Sequence, residues 1–434
     1  MRLFLGLVVL TFLLGCSSTK ESDVVTVEKA VCDIPYSTYQ ATVTGYCQEV
    51  RADLTEELPT TIKNIELKPV EQIPEVFWFS KKMEYTLNKQ DGPAPLVFAI
   101  AGTGASHEAS KMLSLQKTLY AQGYHVISIS SPTFSNYIIN ATTHEDMTGD
   151  LAKDAKTLYK TMQKVYAQVQ EEDNVEATSF SLTGYSLGGA HSAFISFLDE
   201  TEKKFNFEKV VLVNPPVSLY NSVQVLDGYL DLVGDREAAL DMVESIFDRF
   251  AEQYAVQESS KFTQDSIYSM FQGVDLREEE LKLLIGASFR MSSTDMMFAI
   301  DASYNIGGFI YKNHEISKFE SLTHSMHRAD EITFTDYFDR HLLPWTIKLE
   351  PELTRDEMIA RLSLKNLEDY LSKSDKISVV TNADDLILID GEIDYLREVF
   401  GDRAKIFERG GHCGNMDRKS FVEYMNTQFT GEKS

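Results

Sequence analysis

Gly184-Tyr185-Ser186-Leu187-Gly188-Gly189 stands between a β-rich run, residues 178–183, and an amphipathic run, residues 187–199. The first has the composition of a buried strand and the second the apolar spacing of a helix. A Gly-x-Ser-x-Gly sequence at a strand-to-helix junction suits a turn sharp enough to lift the serine hydroxyl clear of the sheet. Its glycines remove the Cβ atoms that would collide there. The bare pattern is common by chance; its place between strand and helix makes Ser186 the candidate nucleophile.

The alternation extends outward from this point. Residues 77–87 read as an early strand or hairpin arm, and residues 95–101 as a buried strand ending in Gly102-Thr103-Gly104. Helix is predicted over 110–122, strand over 125–130, a long helix over 146–170, and strand over 209–214, stopped by Pro215-Pro216. Strands alternating with helices predict an α/β fold with a mostly parallel sheet covered by helices. From 218 to 372 the pattern is helical instead, with apolar residues three and four apart over 238–257, 277–291 and 355–371. The strand type returns at 377–381, followed by a helix over 392–400 and a last strand over 404–407. An insertion of about 150 residues at a strand end reads as a functional cover rather than a linker.

A serine hydroxyl becomes a useful nucleophile only when a base takes its proton. His412 is the one histidine after the insertion, in Arg409-Gly410-Gly411-His412-Cys413-Gly414, directly after the last predicted strand. Asn382-Ala383-Asp384-Asp385 follows the strand at 377–381 and supplies two carboxylates. The serine turn, these acids and the histidine loop stand in the chain order of the α/β-hydrolase superfamily. With the loop after Ala101 they resemble that family over residues 76–217 and 376–429.

The resemblance implies Ser186 as nucleophile, His412 as base, and an orienting acid after the strand at 377–381. In related hydrolases the acid commonly stands three residues after a turn-forming glycine. Asn382 takes that turn position here, which selects Asp385, with Asp384 as the alternative acid or else a cap or a solvated group. The resemblance also implies an oxyanion hole of two backbone N–H groups, each worth about 3 kcal/mol of barrier. One is that of Leu187. The other comes from the loop after Ala101, where family members often carry His-Gly; this chain keeps only the glycine, and Thr103 is the expected donor. The Gly-Gly-His-x-Gly ending looks most like esterases and acylglycerol lipases, which implies carboxylic esters, lipid or acyl esters among them, as substrates. The same triad serves acyl transfer and amide or peptide cleavage, and a non-catalytic envelope protein on this scaffold is a further reading.

The N-terminus points to export. Met1-Arg2 precedes an apolar run, residues 3–14, too short to span a bilayer as a stable helix, so residues 1–15 read as a signal peptide. Leu13-Leu14-Gly15-Cys16 resembles the lipobox of bacterial lipoproteins. That resemblance implies cleavage before Cys16, acylation of its thiol by palmitate-type chains, and membrane anchoring through several buried chains. Ser17 after the cysteine implies, in a Gram-negative host, the outer membrane facing the periplasm. Residues 16–75 are expected to be a lipidated tether and N-terminal extension. Residues 76–217 and 373–434 are expected to form the hydrolase core, and residues 218–372 a helical cap. Cys32 and Cys47 are expected to form a disulfide in an oxidising compartment, closing a loop worth about 3 kcal/mol. Cys413 is left as a small buried residue.

A formal net charge of -25 argues against nucleic acid and against loose electrostatic binding to anionic lipid heads. No cofactor or metal is expected. His324, His327 and Asp330 could share a helical face but lack a further strong zinc ligand. His191, in the helix after Ser186, reads as a packed or capping residue. Asn140-Ala141-Thr142 fits the glycosylation pattern without a reason to expect its use.

Overall fold

The computed structural model describes residues 37–430, apart from residues 56, 144–146, 231–237, 239–240, 243–244, 247, 250–273, 275, 307 and 309–313. Among them eight strands form one sheet: β1 Thr61–Ile65, β2 Met83–Asn88, β3 Ala94–Ile100, β4 His125–Ile129, β5 Ala177–Tyr185, β6 Lys209–Val213, β7 Ile377–Asn382 and β8 Ala404–Phe407. Their spatial order is β1-β2-β4-β3-β5-β6-β7-β8. β1 and β2 pair antiparallel, as do β2 and β4, and every pair from β4 onward is parallel. This is the sheet of the α/β-hydrolase fold.

The helices are α1 Thr38–Thr44, α2 Ser110–Ala121, α3 Ser135–Ala141, α4 Leu151–Asp173, α5 Leu187–Glu202, α6 Leu219–Gly228, α7 Glu278–Tyr304, α8 Thr323–Asp330, α9 Arg355–Arg361, α10 Glu368–Lys373, α11 Glu392–Phe400 and α12 Lys419–Thr430, and residues 334–349 are helical as well. β3 shows why the sheet is covered twice. Its alternate residues Leu96, Phe98 and Ile100 pack in the core that holds Leu158 and Met162 of α4 and Ala190 and Ala193 of α5. Val97 and Ala99 point the other way, into a second core with Met112, Leu115 and Leu119 of α2 and Phe421 and Met425 of α12. A strand buried on both faces carries a continuous apolar run, as this one does.

Several elements differ from the sequence expectation. The run at 77–87 becomes strand only from Met83, because residues 75–77 wind into a 3-10 turn after Pro74. The expected start of the compact domain at residue 76 falls after β1, which pairs with β2 from Thr61 to Ile65. β1 is mostly exposed, as a polar edge strand can be. The helix expected at 277–291 runs on to Tyr304, where Asn305 in the left-handed region ends it. The helix expected over 355–371 is broken after Arg361. There Ser363 turns extended, bridges to Ser218, and donates its hydroxyl to the Val217 carbonyl at 2.7 Å, while the Leu364 N–H reaches the same carbonyl at 2.8 Å.

Most of the helix expected over 238–257 lies outside the described residues, as do the expected signal peptide over 1–15, Cys16 and Cys32. Cys47 is disulfide-bonded and Cys413 is free and buried. Among the described residues no helix is long and apolar enough to cross a membrane.

Candidate active site

β5 ends at Tyr185 and α5 begins at Leu187, so Ser186 alone makes the turn. It does so at φ 55° and ψ -127°, a left-handed backbone that a serine adopts only under constraint. The constraint is visible on both sides: its N–H donates to the Val213 carbonyl of β6 at 2.8 Å, and its carbonyl accepts from Gly189 at 2.9 Å. Glycine is required where the turn is tightest. A Cβ on Gly188 would fall on the Ile100 carbonyl oxygen, and one on Gly184 on the carbonyl of Gly188.

Three of the sequence candidates meet. Ser186 Oγ lies 2.8 Å from His412 Nε2, and His412 Nδ1 lies 2.9 Å from Asp385 Oδ1. All three are buried, at 7%, 5% and 5% exposure for Ser186, His412 and Asp385, so bulk water does not compete for these hydrogen bonds. Burial opposes the charged imidazole. The Asp385 carboxylate, together with the adjacent Cys413 sulfur, outweighs it and raises the His412 pKa above its ordinary value.

The two adjacent acids part company. Asp385 Oδ1 also accepts from the Ile387 N–H at 3.2 Å, and its Oδ2 accepts from Asn214 Nδ2 at 2.7 Å and Thr381 Oγ1 at 3.4 Å. Asp384 turns to the histidine loop instead. Its Oδ1 accepts the N–H groups of Gly410 and Gly411 at 2.8 and 2.9 Å, and its Oδ2 accepts from Thr38 Oγ1 at 3.0 Å. Asp384 thus holds the backbone that carries His412 without touching the imidazole.

Residues that the sequence did not mark for the site, together with Asn382, marked there only as a turn residue, complete the frame. Asn214, at the end of β6, aims its amide at Asp385. Asn382 and Asn415 pair side chain to side chain at 2.7 and 3.0 Å, and Asn382 also donates to the Gly411 carbonyl at 2.7 Å. Thr42 of α1 accepts the His412 N–H on its hydroxyl at 2.9 Å, and Lys111 of α2 donates to the His412 carbonyl at 3.0 Å. Buried polar residues at strand ends are a signal that could have pointed to Asn214 after β6 and Asn382 at the end of β7, and nothing comparable marks Thr42 or Lys111 in their helices.

Thr103 and Leu187 border one cavity with Ser186. Leu187 opens α5, so its N–H has no carbonyl within the helix to reach. The roof is α7: its Leu284, Ile285, Ser288 and Phe289 line the cavity over Ser186 and His412.

The remaining candidates lie elsewhere. His191 is fully buried, with Nε2 3.4 Å from Asp154 Oδ2, between α5 and α4. His324 and His327 are exposed on α8, and Asp330 accepts from Thr294 at 3.1 Å. Among the described residues no three His, Cys, Asp or Glu side chains are grouped to hold a metal ion. Asn140 is 2% exposed and donates its amide to the Ser80 and Asn136 carbonyls, a position no glycan could reach.

No protein-family model and no curated protein sequence matches the chain. Solved structures resemble it in fold. An esterase from Pyrococcus furiosus has 10% identity and a TM-score of 0.40, over 88% of this chain and 94% of that one. Carboxyl esterase 2 from the fungus Tuber melanosporum has 15% identity and a TM-score of 0.38, over 88% and 86%. The acylaminoacyl peptidase of Pyrococcus horikoshii has 9% identity and a TM-score of 0.42, over 88% of this chain but only 43% of the peptidase. Likeness this distant bears on neither substrate nor reaction.

Proposed function

We propose that the chain is a serine hydrolase that cleaves carboxylic esters through an acyl-enzyme on Ser186. The observation that carries this reading is the unbroken line of hydrogen bonds from Ser186 Oγ through His412 to Asp385. Ser186 Oγ gives its proton to His412 Nε2 as it attacks the carbonyl carbon. The N–H groups of Leu187 and Thr103 hold the resulting oxyanion. His412 then returns the proton to the departing alcohol, and water repeats the sequence on the acyl-enzyme. Asp385 keeps the Nδ1 proton in place and steadies the imidazolium. A fluorophosphonate probe tests the reading: one equivalent is expected to attach at Ser186, and a folded protein that takes up none rules it out.

The alcohol must leave on the side of His412, because its oxygen takes the proton from Nε2. The acyl group then points past Thr103 and Leu187, toward a lobe walled by Leu219, Met296, Phe334, Phe338, Leu342 and Leu362. That lobe has a volume of about 50 Å³. A lobe of that size, walled by bulky side chains, suits a short acyl chain better than a long one. Among p-nitrophenyl esters, kcat/KM is therefore expected to peak near butyrate and to fall toward palmitate. A steady rise up to palmitate would place the chain in a different cavity.

The His412 environment sets the pH dependence. Only the neutral imidazole can accept the serine proton, and its pKa is raised. The acid limb of kcat/KM is accordingly expected above the ordinary imidazole value of about 6.5, with activity rising as pH rises through it. In Asp385→Asn the carboxylate is gone and only Cys413 is left to oppose burial, so the limb is expected to move to lower pH. A limb at or below the ordinary value in the wild type would contradict the arrangement.

A further inference from the structure

Resting on the hydrolase reading above, we propose that the natural ester has an anionic alcohol portion, one bearing a carboxylate or phosphate held by Lys111. The lobe on the His412 side, where the alcohol must sit, has a volume of about 340 Å³ and is lined by Thr42, Ser110, Lys111 and Ser288 as well as by apolar groups. It is unlike the acyl lobe, whose described lining carries no charged side chain. Among the described residues lining the alcohol lobe there is no Asp or Glu, and apart from His412 the only titratable cationic group is Lys111.

The ammonium of Lys111 is anchored but not neutralised. It donates to the carbonyls of His412 at 3.0 Å and Thr42 at 3.5 Å, and no carboxylate lies within ion-pair distance among the described residues. An ammonium has three donors, and these two neutral acceptors leave its charge and a further donor available. A half-buried cation without a counter-ion is unusual in a chain of net charge -25, where carboxylates are plentiful. The positive end of α2, which Ser110 and Lys111 open, adds to the same field. An anionic group seated here would complete the ammonium's partners. It would also hold the scissile oxygen near His412 Nε2, because Lys111 is tied to the His412 carbonyl itself.

The test compares two esters of the same shape, para-butyryloxybenzoate and its neutral carboxamide, para-butyryloxybenzamide, on the full chain. The ratio of their kcat/KM values is the readout, because Lys111 also steadies the histidine loop and its loss lowers both rates. The wild type is expected to favour the carboxylate, Lys111→Met to lose that preference by about tenfold, and Lys111→Arg to retain it. The carboxylate preference of the wild type should also shrink with added salt. A third ester, para-butyryloxyphenyl phosphate, separates a phosphate from a carboxylate preference. An equal ratio in wild type and Lys111→Met overturns the proposal and leaves Lys111 as a tie for the loop. If Ser186 takes up fluorophosphonate while the ratio stays fixed, only this inference falls; if Ser186 is not labelled, the hydrolase reading falls and takes this one with it.

Discussion

Ser186→Ala is expected to lower kcat for p-nitrophenyl butyrate by about a million-fold, with no loss of folded protein. The change deletes one oxygen from a residue that is 7% exposed and keeps the Cβ, so the backbone at φ 55° and the packing around it stay as they are. What disappears is the atom 2.8 Å from His412 Nε2. The N–H groups of Leu187 and Thr103 would still polarise a bound ester, which leaves a small rate above that in water. Among the described residues one other nucleophilic atom is near the base, the Cys413 sulfur, 3.9 Å from Nε2. A residual rate within tenfold of wild type, lost on treatment with iodoacetamide, would move the nucleophile to Cys413. Thermal unfolding measured alongside separates a lost nucleophile from a lost fold.

The second large effect concerns the neighbouring acids. Asp385→Asn is expected to lower kcat by about 10⁴-fold. Every atom facing this carboxylate is a donor: His412 Nδ1 and the Ile387 N–H at Oδ1, Asn214 Nδ2 and Thr381 Oγ1 at Oδ2. An amide placed there must turn its NH₂ toward one of them. Facing His412, it forces the proton to Nε2, and the imidazole can no longer accept from Ser186. Asp384→Asn has a different expected result. Its oxygen can still accept from Gly410 and Gly411, but without the charge that strengthens those bonds. A loss of about 1–2 kcal/mol of stability and a rate within about tenfold of wild type are expected. Steady-state kinetics and thermal melts of the two variants side by side decide the matter, and inactivity confined to Asp384→Asn reverses the roles.

Much of the fold could be read locally. The runs at 95–101, 125–130 and 209–214 lie within one residue of β3, β4 and β6 at either end, since a buried parallel strand announces itself by an uninterrupted apolar run between breakers. The helix after Ser186 and the helix over 392–400 were legible for the same kind of reason, a sustained apolar spacing. β1 was not, because its Thr-Ile-Lys-Asn-Ile carries little apolar signal and its strand state depends on the neighbouring edge of β2. α1 was hidden for a related reason. Its short Thr-rich sequence has no strong periodicity, and it is held by contacts with a loop more than three hundred residues away, among them Thr42 to His412.

Within the site, the Gly-x-Ser-x-Gly turn could be recognised because everything that shapes it lies within a few residues. The same holds for the glycine-rich loop around His412. The frame that aims these groups could not, since Asn214, Thr42 and Lys111 reach the site only when separate strands and helices are brought to one end of the sheet. By itself the sequence determined the strand-helix alternation, the turn at Ser186 and a short set of candidate side chains, because each is written in adjacent residues. Only the tertiary structure decided how the two adjacent carboxylates divide their roles, with Asp385 on the imidazole and Asp384 on the backbone beneath it. Neighbouring residues in a turn point in different directions, and what each one meets is set by distant parts of the chain.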